Sequence, residues 1–487
     1  MVAVLSLCAA YALFCLVTNP AGPITTPDSI HYLNMTPIVP LGYPFFLAIT
    51  GARGAIIAQP IIYSAALAFM GREIVRTTRQ TWLAVAAVAG CMIVPQIREY
   101  HASILSESLF LSLLVVFLGL SVRFAYYPTW RLMVLVAILV GVSAVVRRTG
   151  FAFVPVMLAM VLLQRHHLRP DFAKASAFAQ ASADKSSGSG AEHVRLRAVL
   201  FFIAALAPFG VIVGTEQVIA PLVHAGAPSS LIGRHLFAKA ALIEAPSALS
   251  TASDDPVRRA LDEQLETAFA PIRSMLASAP GNVRAVLTIY YETCLQGGCA
   301  DEARALTREP DEARQTAVMG AAGMARIRRA PLNFLALTWR HYRSLWTVNR
   351  LRHPDTAPAL NRFIAERRPM PFEEHALALG PDRTLVFEAS PTVRYAQWAI
   401  ALVAVLTGAL AGGGLVAAVV GLRLPPAFLV SSLAALTAHG GLLLTALLAA
   451  GFTRFLLGLW PALVVACAFG GYAVKLRIKN KKLKMKN

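Results

Sequence analysis

The stretch TTPDSIHYLNMTPIVPLGYPFFLAI, residues 25–49, sets one carboxylate, Asp28, just ahead of His31 and Tyr32. A carboxylate drawn partly out of water holds a raised pKa and can take a proton from a hydroxyl. An aspartate ahead of SIHYL can equally satisfy the free N–H groups of a helix start, and the two roles are compatible.

A second set lies in IREYHASILSESLF, residues 97–110, which supplies Glu99, Tyr100, His101 and Glu107. Glu107 enters an otherwise apolar helix, where an acid is expensive and is a functional candidate by default. The dipole of a helix N-terminus also favours an acid at that place. Glu99, in the turn itself, is the better candidate for a second active acid. The cations that could face these acids are Arg147 and Arg148 in RRTG and Arg454 in GFTR. Paired guanidinium forks suit an anion such as a lipid phosphate, although arginines near a membrane surface also snorkel to headgroups.

The elements that must position these residues are apolar. The 487 residues are 56% hydrophobic and 15% charged, too apolar for an ordinary soluble enzyme. Several nearly uncharged runs reach the length of about 17–25 residues that crosses a hydrocarbon core. The pattern predicts an all-α polytopic membrane protein of about ten transmembrane helices; the alternating short segments of a β-barrel are missing. The formal charge of +19 sits in short loops and in the tail KLRIKNKKLKMKN, as the positive-inside rule expects, and does not point to nucleic acid.

Apolar runs predict seven helices within 1–220, near 1–19, 54–71, 81–96, 104–122, 132–146, 151–163 and 198–220. The first reads as a retained helix rather than a signal peptide. The stretch LGYPFFLAITGAR reads as a short amphipathic helix lying at the outer interface. Residues 221–394 form a polar, mainly helical segment large enough to be a domain. Residues 395–487 supply three more helices and a basic tail. With the tail in the cytoplasm, Asp28, Glu99, the arginine pair, the polar domain and Arg454 all fall outside. Of the strongly basic short loops, the one with Arg147 and Arg148 is then the exception to the charge rule.

Cys8, Cys15, Cys91 and Cys467 lie in apolar helices and read as packing residues. Cys294 and Cys299 in CLQGGC are close enough to allow a small disulfide loop in an oxidising compartment. The chain has no HExxH, no clustered Cys/His ligand set, no phosphate loop, no GxSxG and no dinucleotide fingerprint. RHHLRP, residues 165–170, reads as a basic inner loop.

Several ordered stretches carry a resemblance. PDSIHYL…PLGYPFFLAI resembles the first outer loop of the GT-C glycosyltransferases that use polyprenyl-phosphate sugars, among them protein O-mannosyltransferases and lipid A aminoarabinose transferases. LSESLFLSLLVVFLGL, LVGVSAVVRRTGFAFVPVMLAMVLL, APLNFLALTWRHYRSLW and FTRFLLGLWPAL are similar to later family elements, in the same order. The match spans nearly all of the membrane part.

The resemblance implies a transferase of the bacterial cytoplasmic (inner) membrane with its active site facing the periplasm. It would move a sugar from a polyprenyl monophosphate to a cell-envelope glycan or glycolipid, such as lipopolysaccharide. Asp28 takes the catalytic-base position and Glu99 that of the second outer-loop acid. Arg147, Arg148, Arg454, Lys239 and His235 fall where the donor phosphate would be met, the last two within RHLFAKAAL beside Arg234. His31, Tyr32, Tyr100 and Glu107 fall where acceptor or sugar hydroxyls would lie. No cofactor is required. Ser29 follows Asp28 where a second acid would be needed, so a bound divalent metal is not favoured. Two other readings stand beside this one: a lipid-linked glycan flippase, and an envelope assembly protein with the same scaffold but no activity.

Overall fold

The computed structural model describes residues 1–26, 28–36, 39–167, 189–223, 232–245, 312–346, 391–422, 424–448 and 458–484, with scattered positions between 259 and 305 and residue 456. Arg423, Arg454, Cys294 and Cys299 lie outside the described residues, as does most of the 164–197 loop.

The chain is helical from end to end of these residues: α1 (Val2–Thr18), α2 (Ser29–Leu33), α3 (Gly42–Thr78), α4 (Thr81–Met92), α5 (Pro95–Ala102), α6 (Ser106–Tyr126), α7 (Trp130–Val146), a 3-10 turn at Arg148–Ala152, α8 (Phe153–His167), α9 (Ser189–Val223), α10 (Ile232–Ala241), α11 (Glu312–Arg329), α12 (Pro331–Leu345), α13 (Pro391–Val420), α14 (Pro426–Leu448) and α15 (Trp460–Lys484). Six stretches are long and apolar enough to cross a membrane: Gly42–Thr78, Ser106–Tyr126, Phe201–Val223, Trp398–Val420, Pro426–Leu447 and Trp460–Lys481. Four shorter apolar helices accompany them. In hydrocarbon the backbone must satisfy its own hydrogen bonds, which is why apolar runs of this length become helices. The protein is a helical membrane protein.

The chain parts into two compact units. The first comprises Met1–Ala225, Val403–Gly441 and Leu457–Asn487. Its most enclosed long helix is α6, wrapped by α3, α7 and α15. Being enclosed, α6 carries its serines inward: Ser106, Ser108, Ser112 and Ser121 are all buried. Phe153 stacks on Phe110 and Phe117, with ring centroids 5.5 and 4.8 Å apart, and fixes the start of α8 against α6.

Three local devices aim the loops that carry the candidate residues. The long α3 is broken at Gly51, whose φ of 67° lies in the left-handed region. That break falls inside residues 41–53, the stretch expected to lie at the interface, and glycine tolerates the conformation. Pro95 occupies the first turn of α5 and starts a helix where the sequence pattern suggested only a turn; the preceding helix accordingly ends at Met92. The loop after α1 is stitched to the α5–α6 junction by a parallel bridge, Ile24 N–H to Ala102 C=O at 2.9 Å and Ile104 N–H to Ile24 C=O at 3.0 Å.

Among the cysteines, Cys8, Cys15 and Cys91 are buried and Cys467 is exposed. The packing role expected for Cys467 is therefore corrected: it lies on the outward face of α15, because helical spacing turns Ala466 and Phe469 inward instead.

The second unit comprises Gly226–Leu402 and Leu442–Leu456. Its α10 and α11 pack backbone to backbone, since a Cβ on Gly233 would lie 2.1 Å from the Thr316 carbonyl oxygen and one on Gly323 only 2.8 Å from the Phe237 backbone. Two buried arginines close the C-terminal end of α10. Arg326 donates to the carbonyls of Ala240 and Ile243 at 2.9 and 2.8 Å, and Arg273 to that of Ala241 at 2.9 Å. Helix-end carbonyls need such donors, and Glu266, bridging both guanidinium groups, balances their charge.

Candidate functional site

The bridge at Ile24 fixes where Asp28 stands. Asp28 occupies the N-cap position of α2 and is half-buried, but its side chain makes no capping hydrogen bond. Anchoring falls to its neighbour. The Ser29 hydroxyl donates to the Ile104 carbonyl at 2.9 Å and accepts from the Thr26 N–H at 2.8 Å. The helix-cap role open to Asp28 in the sequence is thus not taken up by its carboxylate.

One turn along α2, Tyr32 is buried and its phenol shares a hydrogen bond with the Ser106 hydroxyl at 2.9 Å. Ser106 in turn accepts from Arg147 Nη1 at 3.0 Å, and the same nitrogen lies 2.8 Å from Glu107 Oε2. Tyr32, Ser106, Glu107 and Arg147 therefore form one connected polar array linking α2, the start of α6 and the end of α7. Burial pushes the Tyr32 phenol above its ordinary pKa; Arg147 opposes the rise, and Glu107 and Asp28 add to it. Asp28 and Arg147 thus bear on the same phenol with opposite sign. The edge of the Tyr32 ring also meets Tyr43 on α3, centroids 4.9 Å apart.

Glu107 sits in the first turn of α6, where the helix dipole favours an acid, and it is paired with a cation, as a buried charge requires. Arg147 and Arg148 diverge. The Arg147 side chain is 15% exposed and turned into the array, whereas Arg148 is 44% exposed and reaches Glu216 on α9 at 2.5 Å. Glu216 Oε1 also accepts the N–H of Leu41 at 3.2 Å, tying the chain ahead of α3 to α9. A close contact sets this corner: a Cβ on Gly150 would fall 2.3 Å from the Ser143 carbonyl carbon, so only glycine lets the 3-10 turn fold back on α7.

The remaining expected residues scatter. Glu99 is exposed on α5, and only its carbonyl is engaged, by the Ser103 hydroxyl at 2.7 Å. Tyr100 is buried beside it. His31 is half-buried, its Nδ1 3.2 Å from the Thr36 hydroxyl. Lys239 and His235 belong to the second unit, where Lys239 is fully buried with its ammonium nitrogen 2.5 Å from His341 Nδ1. Burial lowers the Lys239 pKa to about 7. Burial and Lys239 together lower that of His235 to about 4.

Gln59, which the sequence did not single out, and His101, which it did, extend the first unit's polar interior. Gln59 on α3 donates to the His101 and Ser103 carbonyls at 3.0 and 3.2 Å and accepts from Tyr43 at 3.1 Å. His101 Nδ1 lies 2.7 Å from the Ser108 hydroxyl, and its ring packs against Tyr63 at 4.9 Å. Among the described residues no group of three or more His, Cys, Asp or Glu could hold a metal ion.

No protein-family model matches the chain, and no curated protein or solved structure matches it. The functional reading therefore rests on the residues and their geometry.

Proposed function

We propose that this protein is an integral membrane glycosyltransferase of the GT-C kind. It would move a sugar from a polyprenyl monophosphate to a hydroxyl of a cell-envelope glycan or glycolipid at the outer face of a bacterial cytoplasmic membrane. In this reading the six long and four shorter apolar helices make ten spans, with the basic tail in the cytoplasm by the positive-inside rule. The observation that carries the proposal is the setting of Asp28: half-buried at the start of α2, one turn from Tyr32, whose phenol meets Ser106 and through it Arg147.

The chemistry follows from those groups. The acceptor oxygen attacks the anomeric carbon in line with the departing phosphate, so the C–O bond to phosphate breaks as the new glycosidic bond forms, with inversion. Asp28 takes the acceptor's proton. The polyprenyl phosphate leaves with the negative charge, which Arg148, and Arg147 within its array, would stabilise as it grows. Tyr32 and His31 would orient hydroxyls beside the base. A supporting test is transfer from radiolabelled polyprenyl-phosphate sugars by membranes containing the protein, with mass spectrometry of envelope glycans from a strain lacking it. A glycan shortened by one sugar is the expected result; unchanged glycans together with no transfer would overturn the proposal.

One observation favours a second reading. Both outer arginines already hold carboxylates, Glu107 and Glu216. A non-catalytic assembly protein needs nothing beyond that pairing, whereas the enzyme must share its arginines with the donor. The transfer assay separates the two.

A further inference from the structure

The second unit carries an apolar surface that its own packing leaves uncovered. Helix α12 buries Phe334, Leu337, Thr338, His341 and Leu345 on one side. On the other side Leu332, Leu335 and Trp339 remain 76%, 56% and 57% exposed, at helical spacing along one stripe. Exposed leucines occur singly on most proteins; a stripe of two leucines and a tryptophan on one helix face calls for an occupant.

The surroundings of the stripe say what that occupant is. Trp339 stacks on Tyr342 with centroids 5.3 Å apart, and rings with one polar atom on an apolar body are the residues that settle at the level of lipid headgroups. Arg343 extends the stripe and is exposed, as is Arg328 at the end of α11. From residue 313 to residue 346 the sequence contains no Asp or Glu to offset these two exposed arginines. A cationic rim beside an apolar face matches anionic headgroups over acyl chains. The segment is also held near a bilayer by the chain itself, since the membrane-length helices Phe201–Val223 and Trp398–Val420 flank it in sequence.

We propose that the Leu332–Leu335–Trp339 face of α12 lies in the headgroup region of the membrane, with its arginines on anionic lipid phosphates. The second unit is then seated on the bilayer by a helix that does not cross it. This placement is independent of the glycosyltransferase reading and holds for a transferase, a flippase or a scaffold alike.

The test uses the full chain in nanodiscs containing phosphatidylglycerol. A nitroxide is placed at Leu335→Cys, with Arg328→Cys as the comparison site, in a background whose native cysteines are replaced. The ratio of oxygen to nickel-chelate accessibility is expected to be several-fold higher at 335 than at 328. A second readout needs no cysteine replacement. Phosphatidylglycerol with brominated acyl chains should quench the fluorescence of the unaltered protein more than that of its Trp339→Phe variant. Free access of the nickel chelate to position 335, with equal quenching of the two proteins, would overturn the proposal. So would a position 335 shielded from both reagents, because residues 347–390 or a second copy of the chain would then cover the face.

Discussion

Removing the Arg147 side chain tests the polar array most severely. Its Nη1 lies 2.8 Å from Glu107 Oε2, and the side chains are 15% and 3% exposed. At that separation and an effective dielectric constant of about 20, the gross attraction is about 6 kcal/mol. Desolvation of both ions cancels much of it, so the pair's net worth against an apolar replacement is small. Deleting one partner is a different matter. Arg147→Ala strands a buried carboxylate and also takes a donor from Ser106, which together cost about 3–5 kcal/mol. Arg147→Met with Glu107→Gln removes both charges and should recover at least about 2 kcal/mol of that loss. The assay is a double-mutant cycle by reversible unfolding in detergent micelles, with Arg147→Met, Glu107→Gln and the pair compared with wild type. Additivity within about 0.5 kcal/mol would refute the claim that the two groups form one buried unit.

Three further outcomes follow from the geometry. Gly150→Ala drives a methyl group into the Ser143 backbone, which cannot give way as a side-chain tip can; the expected loss is about 1–3 kcal/mol in thermal stability, with displacement of the arginine corner, and an unchanged melting temperature would contradict it. In the second unit, Lys239 has a folded pKa lowered from 10.5 to about 7, so between those values the unfolded chain binds more protons and stability must rise with pH. His235, lowered from 6.5 to about 4, adds a rise between those two values and nothing above them. Melting scans should show the upper rise in wild type and its loss in Lys239→Met; a flat wild-type profile from pH 7 to 10 would dispose of the buried neutral amine. Glu216→Gln keeps an acceptor for the Leu41 N–H but releases Arg148 from its carboxylate. Because Arg148 is 44% exposed, the stability cost should stay near about 1 kcal/mol by thermal or chemical unfolding, well below that of Arg147→Ala.

The helical membrane architecture was legible because its signal is cumulative. Apolar runs such as LSESLFLSLLVVFLGL leave the backbone no alternative to a helix in hydrocarbon, and α6 accordingly runs over Ser106–Tyr126. Asp28, Tyr32, Glu107 and Arg147 could be named in advance because charged or ring-bearing residues at the ends of apolar runs are few. Their mutual arrangement could not. It depends on a backbone bridge between Ile24 and Ser103, residues far apart in sequence. Ser106 looked like any other small residue of α6 until its hydroxyl was seen to join Tyr32 to Arg147. Glu216 was the more accessible omission, since a lone acid in the apolar stretch 201–223 is itself a sign of a buried partner. The burial of Lys239 beside His341 was hidden for the opposite reason: a basic residue in an amphipathic helix ordinarily faces water, and here it meets His341 of α12 instead.

The most direct measurement is sugar transfer by Asp28→Asn, with the polyprenyl-phosphate sugar that serves wild-type membranes as donor and protein level checked in the same preparation. Loss of a general base lowers turnover by roughly 10²–10⁴-fold, and the account predicts a fall in that range with the variant folded and still able to bind the donor. Transfer within a few-fold of wild type would contradict it.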